Sequence, residues 1–158
     1  MAKPGSFSLP PNAAPKIRAL FDYWQKIHPE AGLPGRQHLD PMDIPQLLPN
    51  IWMIDVGQDP LCFRFRLVGT EIVKFTGRDA TGLCLGEVYP QYTSTEAFRV
   101  HCTCVETGEP SYRKSRVLSN PGRDHIEAER LYLPLAKNGK QVDILLVMTL
   151  YTGEPPPR

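Results

Sequence analysis

The part of the sequence between residues 36 and 86 restricts the possible folds more than any other part. It predicts a helical turn, then a two-stranded hairpin, then short helices separated by glycines. The hairpin strands are expected at 50–56 and 61–68, because the four residues between them, Gly-Gln-Asp-Pro, have strong turn chemistry. Helices this short are not stable alone and must pack on a sheet. This order indicates a small module whose helices cradle a ligand.

The second hairpin strand has the alternation of a strand with two different faces. Side chains two apart in a strand point to the same side, so Phe63, Phe65 and Leu67 are expected to share one face. They line a pocket or fill an ordinary core. Basic residues are expected on the outer face, either as a solvated surface or as a site for anions: Arg64, Arg66, Arg113, Lys114 and Arg116.

The remaining pattern predicts an α+β domain with one five-stranded antiparallel sheet. A longer helix is expected at 92–108, ending at Gly108. Three strands are then expected at 110–118, 125–136 and 141–151. The last strand, VDILLVMTLY, is apolar on both faces, which indicates a central strand covered from both sides. There is no βαβ alternation and no dinucleotide-binding glycine pattern.

Before this module the sequence predicts an amphipathic helix at 12–30, with Asn12 as its N-cap. Residues 1–11 and 152–158 are expected to be disordered tails, and the domain proper is expected at 36–151. The helix carries an apolar stripe at helical spacing: Ile17, Leu20, Phe21 and Trp24. An exposed stripe of this size would promote aggregation, so it must be buried against the sheet or against a second subunit.

Composition and charge exclude several classes of function. The chain has 158 residues, enough for one domain, and its 18 Lys and Arg against 17 Asp and Glu give a net charge of +1. This balance does not support a nucleic-acid partner. No window approaches the length of a membrane span and no secretory signal begins the chain, so we expect a cytoplasmic protein with no membrane partner. The four cysteines are expected to be buried thiols, because Cys102 and Cys104 lie two apart on a helix and cannot easily share a zinc ion.

Four stretches of sequence together resemble a known family: LDPMDIPQLLPNIWMIDV, FRFRLVGTEI, TGRDATG and RLYLPLAKNG. Over about residues 36–151, the chain resembles a PAS-like family of small stand-alone bacterial proteins. The resemblance implies a PAS fold, with a pocket that senses small molecules, light, redox state or gas. It also implies a homodimer formed through the helix before the first strand. Since the sequence leaves no residues for an output domain, the module is expected to act in trans on a signalling partner.

A small-molecule site is expected between the helices and the sheet, formed by Phe63, Phe65, Leu67, Phe98, His101 and Val105. His101 lies on the apolar side of the longer helix, which supplies the axial histidine in haem-binding PAS proteins; a structural histidine explains the same position. We expect no cofactor and no metal. None of the cysteines has the neighbours that flavin photochemistry requires, and His101 alone is weak evidence for haem. His125, after a predicted turn, should face solvent.

The sequence contains no catalytic motif that we recognise, so the leading hypothesis is a non-catalytic sensory or interaction module. One alternative is a small hydratase or isomerase that uses His101 with Glu127 or Glu129, two carboxylates that share one face of a strand. Another is a structural subunit with a filled core that only binds a partner. The presence or absence of a pocket separates the first hypothesis from the third, and a convergent site of histidine and carboxylate would favour the second.

Overall fold

An antiparallel sheet of five strands forms the centre of the protein. The computed structural model describes residues 7–58, 61–116 and 126–152. The strands are β1 Ile51–Gly57, β2 Cys62–Val68, β3 Ser111–Arg116, β4 Glu127–Leu135 and β5 Ile144–Thr152. In the sheet they lie in the order β2-β1-β5-β4-β3. The prediction of an α+β fold with one five-stranded antiparallel sheet is confirmed.

Helices cover both faces of this sheet. The α-helices are α1 Pro15–Lys26, α2 Thr70–Thr76, α3 Leu85–Val88 and α4 Glu96–Thr107. Short 3-10 helices lie at Arg36–His38, Pro41–Asp43, Leu48–Asn50 and Tyr92–Ser94. Helix α1 packs on one side of the sheet, which we call the α1 face, and α2, α3 and α4 pack on the other, which we call the α4 face. The predicted cluster of short helices on one face and the extra N-terminal helix are both present.

The central strands β4 and β5 are apolar on both sides. Leu131 and Leu146 lie on the α1 face, whereas Tyr132 and Val147, one position further along each strand, lie on the α4 face, and all four are buried. Because both faces are covered, the sequence of the last strand is apolar at consecutive positions and does not alternate between apolar and polar residues. β5 pairs with β1 on one side and β4 on the other, so it occupies the middle of the sheet, as predicted.

Helix α1 lies along its own sheet. Its stripe of Ile17, Leu20, Phe21 and Trp24 is buried in the core of the α1 face. The indole Nε1 of Trp24 donates a hydrogen bond of 3.0 Å to the carbonyl oxygen of Pro134 on β4. A second subunit is therefore not required to cover this stripe.

The segment before α1 is also part of the fold. Leu9 is buried, and the Phe7 ring packs edge to face on Phe21 with ring centroids 5.5 Å apart. The prediction of a disordered tail is therefore wrong for residues 7–11. Asn12 is not the N-cap either: Ala14 occupies that position and Pro15 begins the helix, where its missing N–H leaves nothing unsatisfied.

The predicted longer helix is divided in two. A 3-10 helix, Tyr92–Ser94, comes first, and Thr95 then caps α4 by accepting a hydrogen bond of 3.2 Å from the backbone N–H of Phe98. The helix ends at Gly108, as predicted, where the backbone adopts a φ of +68° that favours glycine. Thr95 is suited to the cap position because its hydroxyl reaches the backbone N–H of the third residue of the helix.

A glycine joins β2 to α2 at a point of close backbone contact. A Cβ atom at Gly69 would lie 2.4 to 2.6 Å from three backbone carbonyl oxygens, those of Leu48, Pro49 and Ile51. The Gly69 N–H donates a hydrogen bond of 2.7 Å to the carbonyl of Ile51. Only a residue without a side chain fits here, which explains the glycine in the FRLVGT stretch.

A β-bulge changes the face on which Leu67 lies. Met53 pairs with Leu67 and Ile54 pairs with Phe65, so Arg66 has no opposite residue on β1. Leu67 therefore lies on the α1 face, opposite to Phe65, and is 43% exposed. The prediction that Leu67 shares a face with Phe63 and Phe65 is wrong, because the extra residue reverses the alternation.

Cys104 is buried, as predicted, whereas Cys62, Cys84 and Cys102 are only partly buried. The sulfur atoms of Cys62 and Cys84 lie 3.4 Å apart. Within the described ranges no helix is long and apolar enough to cross a membrane.

We predict that α1 belongs to the cooperative folding unit. Replacing Leu20 by Ala should lower the free energy of unfolding by about 2–5 kcal/mol, because this fully buried side chain would leave a cavity against the sheet. Gln25→Ala, at an exposed position of the same helix, is the matched control and should change it by less than about 0.5 kcal/mol. Urea denaturation measures both values. Equal midpoints for the two variants would show that α1 is only loosely attached.

Candidate functional site

A cavity of about 300 Å³ lies between the α4 face of the sheet and the helices that cover it. All five strands and helices α2, α3 and α4 contribute to its wall. Seven of the lining side chains are aromatic: Trp52, Phe65, Phe75, Tyr89, Tyr92, Tyr132 and Tyr151. The volume is at the lower end of the range for small-molecule sites, and the mostly apolar wall with a few polar groups is typical of them.

His101 is one of the two most deeply buried polar residues of this wall among those described, with 1% of its surface exposed. The hydroxyl of Tyr92 is hydrogen-bonded to its Nδ1 atom. Its Nε2 atom is buried and has no hydrogen-bond partner among the described residues. Buried polar atoms are nearly always paired, so this ring nitrogen is an exception within the described part of the chain.

The bond to Tyr92 favours one tautomer of His101. Burial raises the pKa of Tyr92 well above its usual value, so its hydroxyl keeps its proton. If that proton is donated to Nδ1, the hydrogen of the neutral ring lies on Nε2. In the opposite arrangement the phenol proton would have no acceptor among the described residues. The ring therefore presents an N–H donor at Nε2.

Two arginines lie side by side in the same wall. Arg113 on β3 and Arg130 on β4 are directly opposite each other in the sheet, and both line the cavity. The guanidinium of Arg113 bonds the carboxylate of Glu96, at the start of α4, at 2.8 Å. Among the described residues no carboxylate lies within ion-pair distance of Arg130. The cavity wall is therefore positively charged.

A hydroxyl on the central strand is a further polar group of the wall. Thr149 on β5 is buried, and its Oγ1 atom accepts a hydrogen bond of 2.9 Å from the indole N–H of Trp52. Asn50 donates to the carbonyl oxygen of Thr149 at 3.3 Å. These bonds hold Trp52 and Thr149 in place on the strands that line the cavity.

The residues predicted for the site divide into three groups. Phe65 and His101 line the cavity directly. Phe63 and Phe98 lie behind the lining, where Phe63 packs on His101 with ring centroids 5.5 Å apart and Phe98 packs on Tyr92 at 5.2 Å. Val105 is half-buried in the same core and Leu67 is on the other face, so neither borders the cavity.

Glu127 and Glu129 do not join His101. Both lie on the α1 face, since Arg130, between Glu129 and Leu131 in the chain, lines the cavity on the α4 face. The carboxylate of Glu129 accepts hydrogen bonds from the Tyr112 hydroxyl at 2.8 Å and from the backbone N–H of Ala14 at 2.9 Å. The sheet separates these groups from His101, so the site proposed for a hydratase or isomerase is not formed.

The predicted outer basic surface is also divided. Arg113 is on the α4 face, whereas Lys114 and Arg116 are on the α1 face, opposite Glu129 and Glu127. Arg66 forms an ion pair of 3.1 Å with Asp55. The prediction that Arg113 belongs with the outer residues is wrong, because adjacent residues of a strand point to opposite faces.

Sequence reasoning missed Arg113, Arg130, Tyr92 and Trp52 as lining residues. The alternation of β3 and β4 could have placed Arg113 and Arg130 on opposite sides from their neighbours, but their pairing depends on the register between two strands. Within residues 7–58, 61–116 and 126–152, no three side chains of His, Cys, Asp or Glu meet in a group that could hold a metal ion. His125 lies outside the described residues.

We predict that His101 makes the fold sensitive to acid. Burial, together with the charges of Arg130 and Arg113, lowers the pKa of His101 from 6.5 to about 3. Between pH 6.5 and about 3, the imidazole of His101 is protonated in the unfolded chain but neutral in the native state. The free energy of unfolding therefore falls as the pH drops below about 6.5, by up to about 1.4 kcal/mol per pH unit. Urea denaturation from pH 7.5 to 4.5 should show this slope in the wild type but not in His101→Gln. His38→Gln, at an exposed position, should behave as the wild type. Parallel curves for the wild type and His101→Gln would contradict the prediction.

Comparison with family models identifies the family of this chain. Residues 13–149, which include α1 and all the residues that line the cavity apart from Tyr151, match the family model described as a PAS domain. Among solved structures, the crystal structure of a sensory box sensor histidine kinase from Vibrio cholerae is similar, with 12% sequence identity and a TM-score of 0.49. The match covers 72% of this chain and 92% of that one. A search of curated proteins found no match. Since the family model spans most of its length, the chain belongs to the PAS domain family.

Proposed function

We propose that this PAS domain is a non-catalytic sensory module that binds a small molecule in its cavity and passes the resulting change to a partner protein in trans. The observation that carries the proposal is the cavity of about 300 Å³, whose lining includes the buried side chain of His101. A subunit that served only as a structural partner would gain stability from filling this space, because protein interiors are otherwise close-packed.

The walls of the cavity differ in rigidity. One wall is a sheet whose central strands are buried on both faces. The opposite wall includes α2, with seven residues, and α3, with four, and helices of this length depend on their packing for stability. A ligand would therefore change the arrangement of α2 and α3 more readily than that of the sheet. A difference in ligand affinity between two arrangements is sufficient to produce a signal.

A second cavity gives the helical wall additional freedom. It has a volume of about 220 Å³ and shares Phe65, Ile72, Thr76 and Tyr89 with the first. Ile72 and Thr76 belong to α2, so this helix borders both cavities. A shift of α2 could enlarge one cavity at the expense of the other.

The formation of a homodimer is a separate prediction. Helix α1 was expected to supply the contact, but its apolar stripe packs on the sheet of the same chain. A dimer of this protein would have to use a different surface. We expect light scattering to give the mass of a dimer. The mass of a monomer at all concentrations tested would contradict this prediction.

Ligand binding can be tested with a variant that fills the cavity. Ala97 lines the cavity from α4, so Ala97→Leu should occupy part of it, whereas Ala19→Leu adds the same atoms at an exposed position of α1. Native mass spectrometry of the wild type and of Ala19→Leu should detect a retained small molecule, and Ala97→Leu should retain less. In a thermal shift screen of metabolites, a ligand at 100 times its Kd would stabilise the wild type by about 2.7 kcal/mol.

The alternative of a structural subunit predicts the opposite outcome. In that case no molecule would be retained, no metabolite would raise the melting temperature, and Ala97→Leu would only change the stability of the unliganded protein. This result would refute the sensory proposal.

A further inference from the structure

Among the described residues, the charged side chains that line the cavity are of one sign. Arg113 and Arg130 line it, and no Asp or Glu of the described ranges does. Glu96 neutralises part of the charge of Arg113 from outside the lining, while among the described residues Arg130 has no ion-pair partner. Arginine stays protonated in proteins, so this charge is permanent.

The register of β3 and β4 makes the two charges adjacent. Arg113 and Arg130 are directly opposite each other, and like charges in this arrangement destabilise a sheet. Both guanidiniums also lie close enough to His101 to lower its pKa. A negative group between them would relieve this repulsion, and a guanidinium presents several N–H donors in a geometry that matches a carboxylate.

The uncharged lining indicates what the rest of the ligand would be. Aromatic rings surround the cavity, and such rings can hold either an apolar group or a cation. Two guanidiniums in the same wall oppose a cation. The apolar alternative is therefore favoured for the part of the ligand that touches the rings. His101, whose side chain lines the same cavity, is neutral and adds no charge of its own.

We infer that the ligand of this cavity is an organic anion, a carboxylate on an apolar body, whose negative group is bound by Arg130 and Arg113 and whose body packs on the aromatic lining. The inference rests on the proposed function of the cavity as a ligand site. Arg130 is the principal anchor, because the guanidinium of Arg113 is shared with Glu96.

Three probes of nearly equal size separate charge from shape: phenylacetate, phenylacetamide and phenethylamine. Isothermal titration calorimetry on the full chain should show binding of phenylacetate at least about tenfold tighter than that of the neutral amide, with no binding of the amine. Octanoate tests whether an aliphatic body is accepted, and inorganic phosphate tests whether charge alone is sufficient. Octanoate should bind and phosphate should not.

Variants of the two strands identify the anchor. Arg130→Gln should weaken phenylacetate binding by at least about tenfold, and Arg130→Lys should recover part of the loss. Lys114→Gln removes the same charge from the neighbouring strand but on the α1 face, so it is the matched control and should leave the affinity unchanged. Equal losses in Arg130→Gln and Lys114→Gln would overturn the inference, since net charge and not the cavity would then explain the binding.

Stability provides a second, independent readout. Removing one of two like charges should leave unliganded Arg130→Gln at least as stable as the wild type in urea, while its stabilisation by phenylacetate is lost. A large loss of stability without ligand would show that Arg130 is held by the fold itself, which would count against the inference.

The outcomes also distinguish this inference from the proposed function. If phenylacetamide binds as tightly as phenylacetate and Ala97→Leu abolishes both, the cavity is a ligand site but not an anion site. If neither phenylacetate nor octanoate binds at millimolar concentration, the organic anion is ruled out, although a retained neutral molecule would still support a sensory role.

Discussion

The fold depends on the burial of β4 and β5 from both sides. Each strand places one set of side chains under α1 and the alternate set under the helices of the α4 face. Two layers of helix are therefore required, and neither layer can be removed without exposing a row of apolar side chains to water. This explains why α1, which precedes the hairpin in the chain, folds back over the sheet, and why the residues before it, Phe7 and Leu9, also pack there.

The unfavourable interactions of the molecule are concentrated at the cavity. Elsewhere ion pairs connect opposite charges, such as Arg66 and Asp55, and the carboxylate of Glu129 accepts two hydrogen bonds. At the cavity, two arginines oppose each other and a buried histidine lacks one partner. Binding sites commonly keep such features at a cost in stability, because the groups that a ligand will satisfy are unsatisfied without it. The same contrast is why the cavity differs from an ordinary packing defect, which would be lined by apolar groups alone.

The sequence was sufficient to predict the helices and strands, but not the details of how the strands pair. Strand positions, the central place of β5 and the helix end at Gly108 all follow from local chemistry, which is visible in the order of residues. Leu67 was misplaced because a bulge depends on how two strands pair. Of the predicted ligand contacts, Phe65 and His101 reach the cavity. Arg130 was missed because its importance comes from Arg113, which is seventeen positions away in the chain and adjacent only through the register of the sheet.

Glu129 and Arg130 are neighbours in the chain, yet they belong to opposite halves of the molecule. Glu129 anchors the start of α1 through the N–H of Ala14, and Arg130 lies in the wall of the cavity. Because the side chains of a strand alternate, one short piece of β4 encodes both the attachment of the helix and the chemistry of the site. If β4 were exchanged between two proteins of this architecture, the recipient would acquire both at once: the acceptor for the N–H at the start of α1 and the charge in the wall of the cavity.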